Sequence, residues 1–154
     1  MQKNVIFIEE SRPWQKFLHL YIWVCLFLAC SKGSTDQVNS ATYFQDNYLD
    51  RNYTIHLATD NGADLTAQYN GFVFRLVKGT GVDGSVTVTK NSSTWTGTWA
   101  TNADYSKLTI NLPAGVPEFV FLIREWKFTH KGIPILELAP WGTLDPKVLH
   151  MERL

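Results

Sequence analysis

The chain has 154 residues, a length that suits one domain, and its 14 Lys plus Arg balance its 14 Asp plus Glu. Phosphate recognition needs a basic excess, and none exists here, nor any long run of like charge; nucleic acid is excluded as an expected partner. Aromatic residues make up 14 % and threonine is dense between positions 54 and 109, a composition that favours pleated, half-buried strands.

Residues 17–29, FLHLYIWVCLFLA, form an apolar run interrupted only by His19. A bilayer-spanning helix needs about 20 apolar residues. This run is shorter and matches the hydrophobic region of a signal peptide, about 7–15 residues long, with Arg12 and Lys16 as its positive flank. Residues 1–16 are long for such a flank and include Glu9-Glu10, which places the expected translation start downstream of Met1. The run ends in Leu28-Ala29-Cys30 and is followed by Ser31, Lys32, Gly33, Ser34 and Thr35. This junction resembles the lipobox of bacterial lipoproteins, with Phe27 where Leu is commoner. The resemblance implies cleavage before Cys30 and acyl chains on Cys30. It also implies a lipid-anchored place in the cell envelope, on the periplasmic face or the outer-membrane surface. Each buried methylene contributes about 0.8 kcal/mol, and stable anchoring takes more than one acyl chain. Cleavage would remove Lys3, Arg12, Lys16, Glu9 and Glu10, leaving 125 residues with 11 basic and 12 acidic side chains. Of the two cysteines, Cys25 would be discarded, so Cys30 would have no disulfide partner and no competing thiol role.

Residues 30–50 are polar and read as the lipidated Cys and a flexible tether, with Tyr43, Phe44, Tyr48 and Leu49 able to form a short helical turn against the domain. Residues 51–154 read as one β domain. Tyr53, Ile55 and Leu57 alternate with polar neighbours, and Asp60-Asn61-Gly62 then marks a turn. Phe72, Phe74 and Leu76 share a face. Val86 and Val88 alternate with Ser85, Thr87 and Thr89; Trp95, Gly97 and Trp99 alternate with Thr94, Thr96 and Thr98. Leu108, Ile110 and Leu112 repeat the pattern. Residues 119–123, FVFLI, read as either a buried strand or a buried helical turn. Trp126 and Phe128 share a face, residues 135–138 and 148–151 read as the last two strands, and Pro140 and Pro146 assign 139–146 to a loop. About eight short strands joined by tight turns predict an all-β antiparallel meander, closed into a small barrel or folded as a half-barrel or sandwich.

The pattern Phe72-x-Phe74, Gly97-Thr98-Trp99, Leu108-Thr109-Ile110, Trp126, an apolar strand ending near Leu138 and Leu149-His150-Met151-Glu152 resembles the lipocalin-like lipoproteins of Gram-negative bacteria. The resemblance covers about residues 53–153 and implies a lipocalin-like barrel in the cell envelope, without catalytic residues.

Tests for chemistry give little. His56, His130 and His150 lack metal-ligand spacing, and no metal or other cofactor is expected. The run from Asp60 fails as an EF-hand because Leu65 and Gly71 stand where Gly and Glu are required. No G-x-S-x-G elbow or phosphate-binding loop occurs, so no enzyme activity is expected. The candidates for contact with a small ligand are Phe72, Phe74, Trp99 and Trp126, whose bulk equally suits a packed core. The expected function is non-catalytic, with two forms. In one, the barrel binds a small apolar molecule or a glycan. In the other, it is a structural subunit that contacts another envelope protein through its Thr-rich outer face.

Overall fold

The computed structural model describes residues 34–154; the expected signal peptide and Cys30 lie outside the described residues. A helix, α1 (Ser34–Tyr48), comes first. It is followed by β1 (Asn52–Asp60), β2 (Ala63–Asp64), a 3-10 turn (Thr66–Tyr69), β3 (Val73–Leu76), β4 (Asp83–Lys90) and β5 (Ser93–Thr101). Then come β6 (Lys107–Asn111), a short helix α2 (Phe119–Leu122), β7 (Arg124–Lys131), β8 (Ile135–Pro140) and β9 (Lys147–Arg153). Neighbouring strands are antiparallel in the order β1-β3-β4-β5-β6-β7-β8-β9, and β9 pairs back onto β1. The meander is therefore a closed barrel of eight strands, with β2 as an extra strand on β1. Closure removes the free edges that would otherwise pair with other chains.

Turn chemistry and alternation account for the register. Asp60 pairs with Ala63 across Asn61 (φ 51°) and Gly62 (φ 82°), the positive angles that a two-residue hairpin requires and that Asn-Gly supplies. In β4 and β5, Val86 faces Gly97 and Val88 faces Trp95 on the inner side, while Thr87 faces Thr96 and Thr89 faces Thr94 on the outer side. Apolar inside and polar outside is the reverse of a membrane-spanning barrel, which turns its apolar band to lipid.

Two bulges break the alternation. In β1 the register shifts between Ile55 and Leu57, leaving His56 as the extra residue. The inward series is therefore Tyr53, Ile55 and Ala58, opposite Arg153, Met151 and Leu149, and Leu57 is only half-buried. This corrects the expectation of strict period two over Tyr53, Ile55 and Leu57. A second bulge, at Thr129 of β7, shifts the register between Phe128 and His130. A smaller correction concerns Pro140, which is the last residue of β8 rather than part of a loop; a residue with no backbone donor fits where the ladder stops.

Both barrel ends are plugged by aromatic side chains. At one end α2, which settles the open reading of residues 119–123, places Phe119 against Phe72 (5.8 Å between centroids) and edge-on to Trp95 (5.6 Å). The Tyr69 hydroxyl donates to the Glu118 carbonyl (2.9 Å), tying the 3-10 turn to α2, and burial raises its pKa to about 12. At the other end sits the C-terminal turn of α1. The sequence reading makes residues 30–50 a flexible tether, but Ser34–Tyr48 is helical, and Phe44, Tyr48 and Leu49 are at most 2 % exposed. The folded domain thus begins before residue 51. Phe44 and Tyr48, four residues apart, lie on one helix face. Asp50, in the left-handed region (φ 55°), ends the helix, and its backbone N–H donates to the Leu76 carbonyl (2.7 Å).

Gly97 marks a close approach of two chain segments. A Cβ there would collide with the Asn111 carbonyl oxygen and lie 3.0 Å from Leu112 Cα, where β6 ends and turns across the barrel. Gly97→Ala is expected to destabilise the domain by about 1–3 kcal/mol, the cost of overpacking a dense interior. The shift of the urea unfolding midpoint at constant slope measures it.

Candidate functional site

The four aromatic residues singled out from the sequence all lie in the barrel interior. Phe72, Phe74, Trp99 and Trp126 are 2 %, 2 %, 1 % and 0 % exposed. Phe72 and Phe74 touch (6.1 Å between centroids), whereas Trp99 packs on Phe44 and Trp126 on Phe121. Each indole is already satisfied: Trp99 Nε1 donates to the Val77 carbonyl (2.9 Å) and Trp126 Nε1 to the Leu122 carbonyl (3.0 Å).

A pocket of about 430 Å³ opens at the α1 end of the barrel, lined by Ser40, Tyr43, Phe44, Tyr48 and Lys131. Its volume falls in the range of small-molecule sites, about 300–1,000 Å³. Alpha-helical spacing brings Tyr43, Phe44 and Tyr48 together. Tyr43 meets Tyr48 edge-on (5.8 Å, 78°), and Phe44 meets Tyr48 at 5.5 Å. Phe44 and Tyr48 are buried and serve as the floor; Tyr43 is 48 % exposed and stands at the rim. The Tyr48 hydroxyl donates to the Lys131 carbonyl (3.0 Å), which joins α1 to the end of β7, and burial pushes its pKa up.

Lys131 owes its place to the Thr129 bulge. Strict alternation from Trp126 and Phe128 would put residue 130 inside and residue 131 outside. With one extra residue, Phe128 faces Leu138, His130 faces Glu137 and Lys131 faces Leu136. Leu136 and Leu138 are both 1 % exposed, so Lys131 stands on their inner face. Its Nζ lies 5.3 Å from the centre of the Phe128 ring. Desolvation lowers its pKa, and the Asp104 charge opposes that shift at longer range. Among the described residues no carboxylate lies within ion-pair distance of it, while Lys107 and Lys147 are paired with Glu125 and Asp60.

A lowered lysine pKa means that the folded state holds the proton less tightly than the unfolded chain. The charged form therefore costs stability at neutral pH, and the cost is relieved as pH rises into the alkaline range. Lys131→Met is accordingly expected to match or exceed the wild-type melting temperature at pH 7, with the gap narrowing at alkaline pH. Melting curves of the two proteins across pH test this.

Among the described residues no group of three His, Cys, Asp or Glu is placed to hold a metal ion. His130, Glu137 and His150 are neighbours in register across β7, β8 and β9, but they are not placed to hold a metal ion.

The fold itself has a relative among solved structures. The chain is similar to a DUF4847 family protein from Bacteroides vulgatus ATCC 8482, with a TM-score of 0.51 and 16 % identity over 70 % of this chain and 95 % of that one. At that identity the likeness concerns the fold. No protein-family model and no curated protein matches the chain. An eight-stranded antiparallel barrel with both ends plugged fits a lipocalin-like fold.

Proposed function

We propose that this chain is a non-catalytic, lipid-anchored protein of the cell envelope that binds a small apolar molecule or a glycan at the α1 mouth of its barrel. The observation that supports binding is the 430 Å³ pocket, whose aromatic floor lies over an interior already filled by side chains. Such a site takes a small molecule at the mouth, and the packed core below limits how deeply it enters. The anchor reading rests on the Leu28-Ala29-Cys30 junction.

Native mass spectrometry of the protein from its own host, with melting-shift screens against lipids and glycans, tests the reading. A bound molecule that is lost on Tyr48→Ala is the expected result. If no lipid or glycan binds, and in-cell crosslinking through Thr94, Thr96 and Thr98 captures one defined envelope protein, the outer-face interaction reading replaces it.

A further inference from the structure

The same pocket carries information about the charge of its occupant. We infer that it takes small apolar molecules bearing a carboxylate, and that Lys131 receives that carboxylate; this deepens the ligand-binding reading above and rests on it. Three observations converge. The Thr129 bulge turns Lys131 onto the inner face opposite Leu136, so its half-buried side chain lines the mouth. Around it stand the rings of Tyr43, Phe44, Tyr48 and Phe128, which suit an apolar body, with Ser40 as a further lining residue. Finally, no carboxylate of the described residues pairs with this ammonium, in contrast to Lys107 and Lys147.

Burying part of an ammonium without a partner is unfavourable, and an incoming anion removes that penalty while gaining a charge-assisted hydrogen bond. A neutral ligand of the same shape would leave the penalty in place. The backbone beneath Lys131 is held by the Tyr48 hydroxyl, so the stem of the side chain starts from a fixed point and little order is lost on binding.

The test uses the full chain in zwitterionic nanodiscs, with empty nanodiscs as blank, titrated with phenylbutyrate and with phenylbutanol, its uncharged counterpart. The acid is expected to bind at least about tenfold more tightly than the alcohol at pH 7. Lys131→Met should abolish that preference by weakening the acid alone about tenfold to a hundredfold. Lys131→Arg should retain it, and Lys127→Met, on the exposed side of the same strand, should leave it unchanged. Matching near-ultraviolet dichroism of all variants establishes that each is folded. Equal binding of acid and alcohol, a preference that survives Lys131→Met, or binding of a neutral glycan instead would overturn the inference and leave the ligand-binding reading standing. Binding of neither probe nor of any lipid or glycan would overturn both.

Discussion

Replacing Phe44 by alanine is expected to lower the stability of the domain by about 3–5 kcal/mol, the range for truncating a buried phenylalanine. Phe44 is 1 % exposed and touches four rings: Tyr48 at 5.5 Å, Trp99 at 6.0 Å, Tyr105 at 5.2 Å and Phe128 at 6.0 Å. These belong to α1, β5, the loop before β6, and β7, so one side chain joins the helix to three separate parts of the barrel. For a domain of this size the loss amounts to roughly 10–20 °C in melting temperature. The effect should also be local. Trp99 would lose a ring neighbour at the mouth, so its fluorescence should shift to the red before global unfolding, and α1 should become the first segment cut by protease. If Phe44→Ala melts within about 2 °C of wild type, a shift too small for loss of a core ring, then α1 is an appendage and the pocket it builds has no fixed floor.

That helix was the hardest part of the fold to read from the sequence. Residues 34–50 are mostly Ser, Thr, Asp, Asn and Gln, with few apolar residues, and the buried ones at the end of the segment are Phe44, Tyr48 and Leu49. Polar composition suggests a tether, while the energetics of docking rest on two rings at i and i+4. The strands were legible where the two sides of the sheet differ most. In β4 and β5 the inner Val86, Val88, Trp95 and Trp99 alternate with threonines, and the turn at Asn91, with its positive φ of 54°, sits between them. Alternation fixes register because a slip by one residue would expose every inner side chain.

The bulges were not legible, and the candidate site depends on one of them. Nothing in Phe128-Thr129-His130-Lys131 distinguishes a regular strand from one with an extra residue at Thr129. Its cause is non-local: Phe128 must meet Leu138 while Lys131 meets Leu136, pairings set by the neighbouring strand. Period two assigns Lys131 to solvent, so reasoning from the sequence passes over it. The same reasoning favours Trp99 and Trp126 because large aromatic residues can line a mouth as well as fill a core. In the structure both rings are buried, and each indole N–H donates to a backbone carbonyl of this chain.

Replacing Cys30 by alanine is expected to abolish acylation of the chain, and the fate of the variant identifies the anchor. Two acyl chains hold a protein at a bilayer far more tightly than the marginal attachment given by one. If the lipobox reading holds, wild-type protein from its host begins at Cys30, carries the added mass of the acyl chains and stays with membranes through a high-salt wash. Cys30→Ala should lose the acyl mass altogether. It should then either be cut elsewhere and fall at least about tenfold in membrane partition, or remain uncut and be held by the apolar run 17–29. Intact mass separates these two outcomes, and each agrees with a lipid on Cys30. The reading fails if wild type and Cys30→Ala have the same processed N-terminus, differ in mass only by the substituted residue and partition alike. Removing the thiol has one further consequence that sharpens the test. Because Cys25 falls within the expected signal peptide, a processed chain has no other cysteine, so neither disulfide loss nor thiol reactivity can account for a change in location.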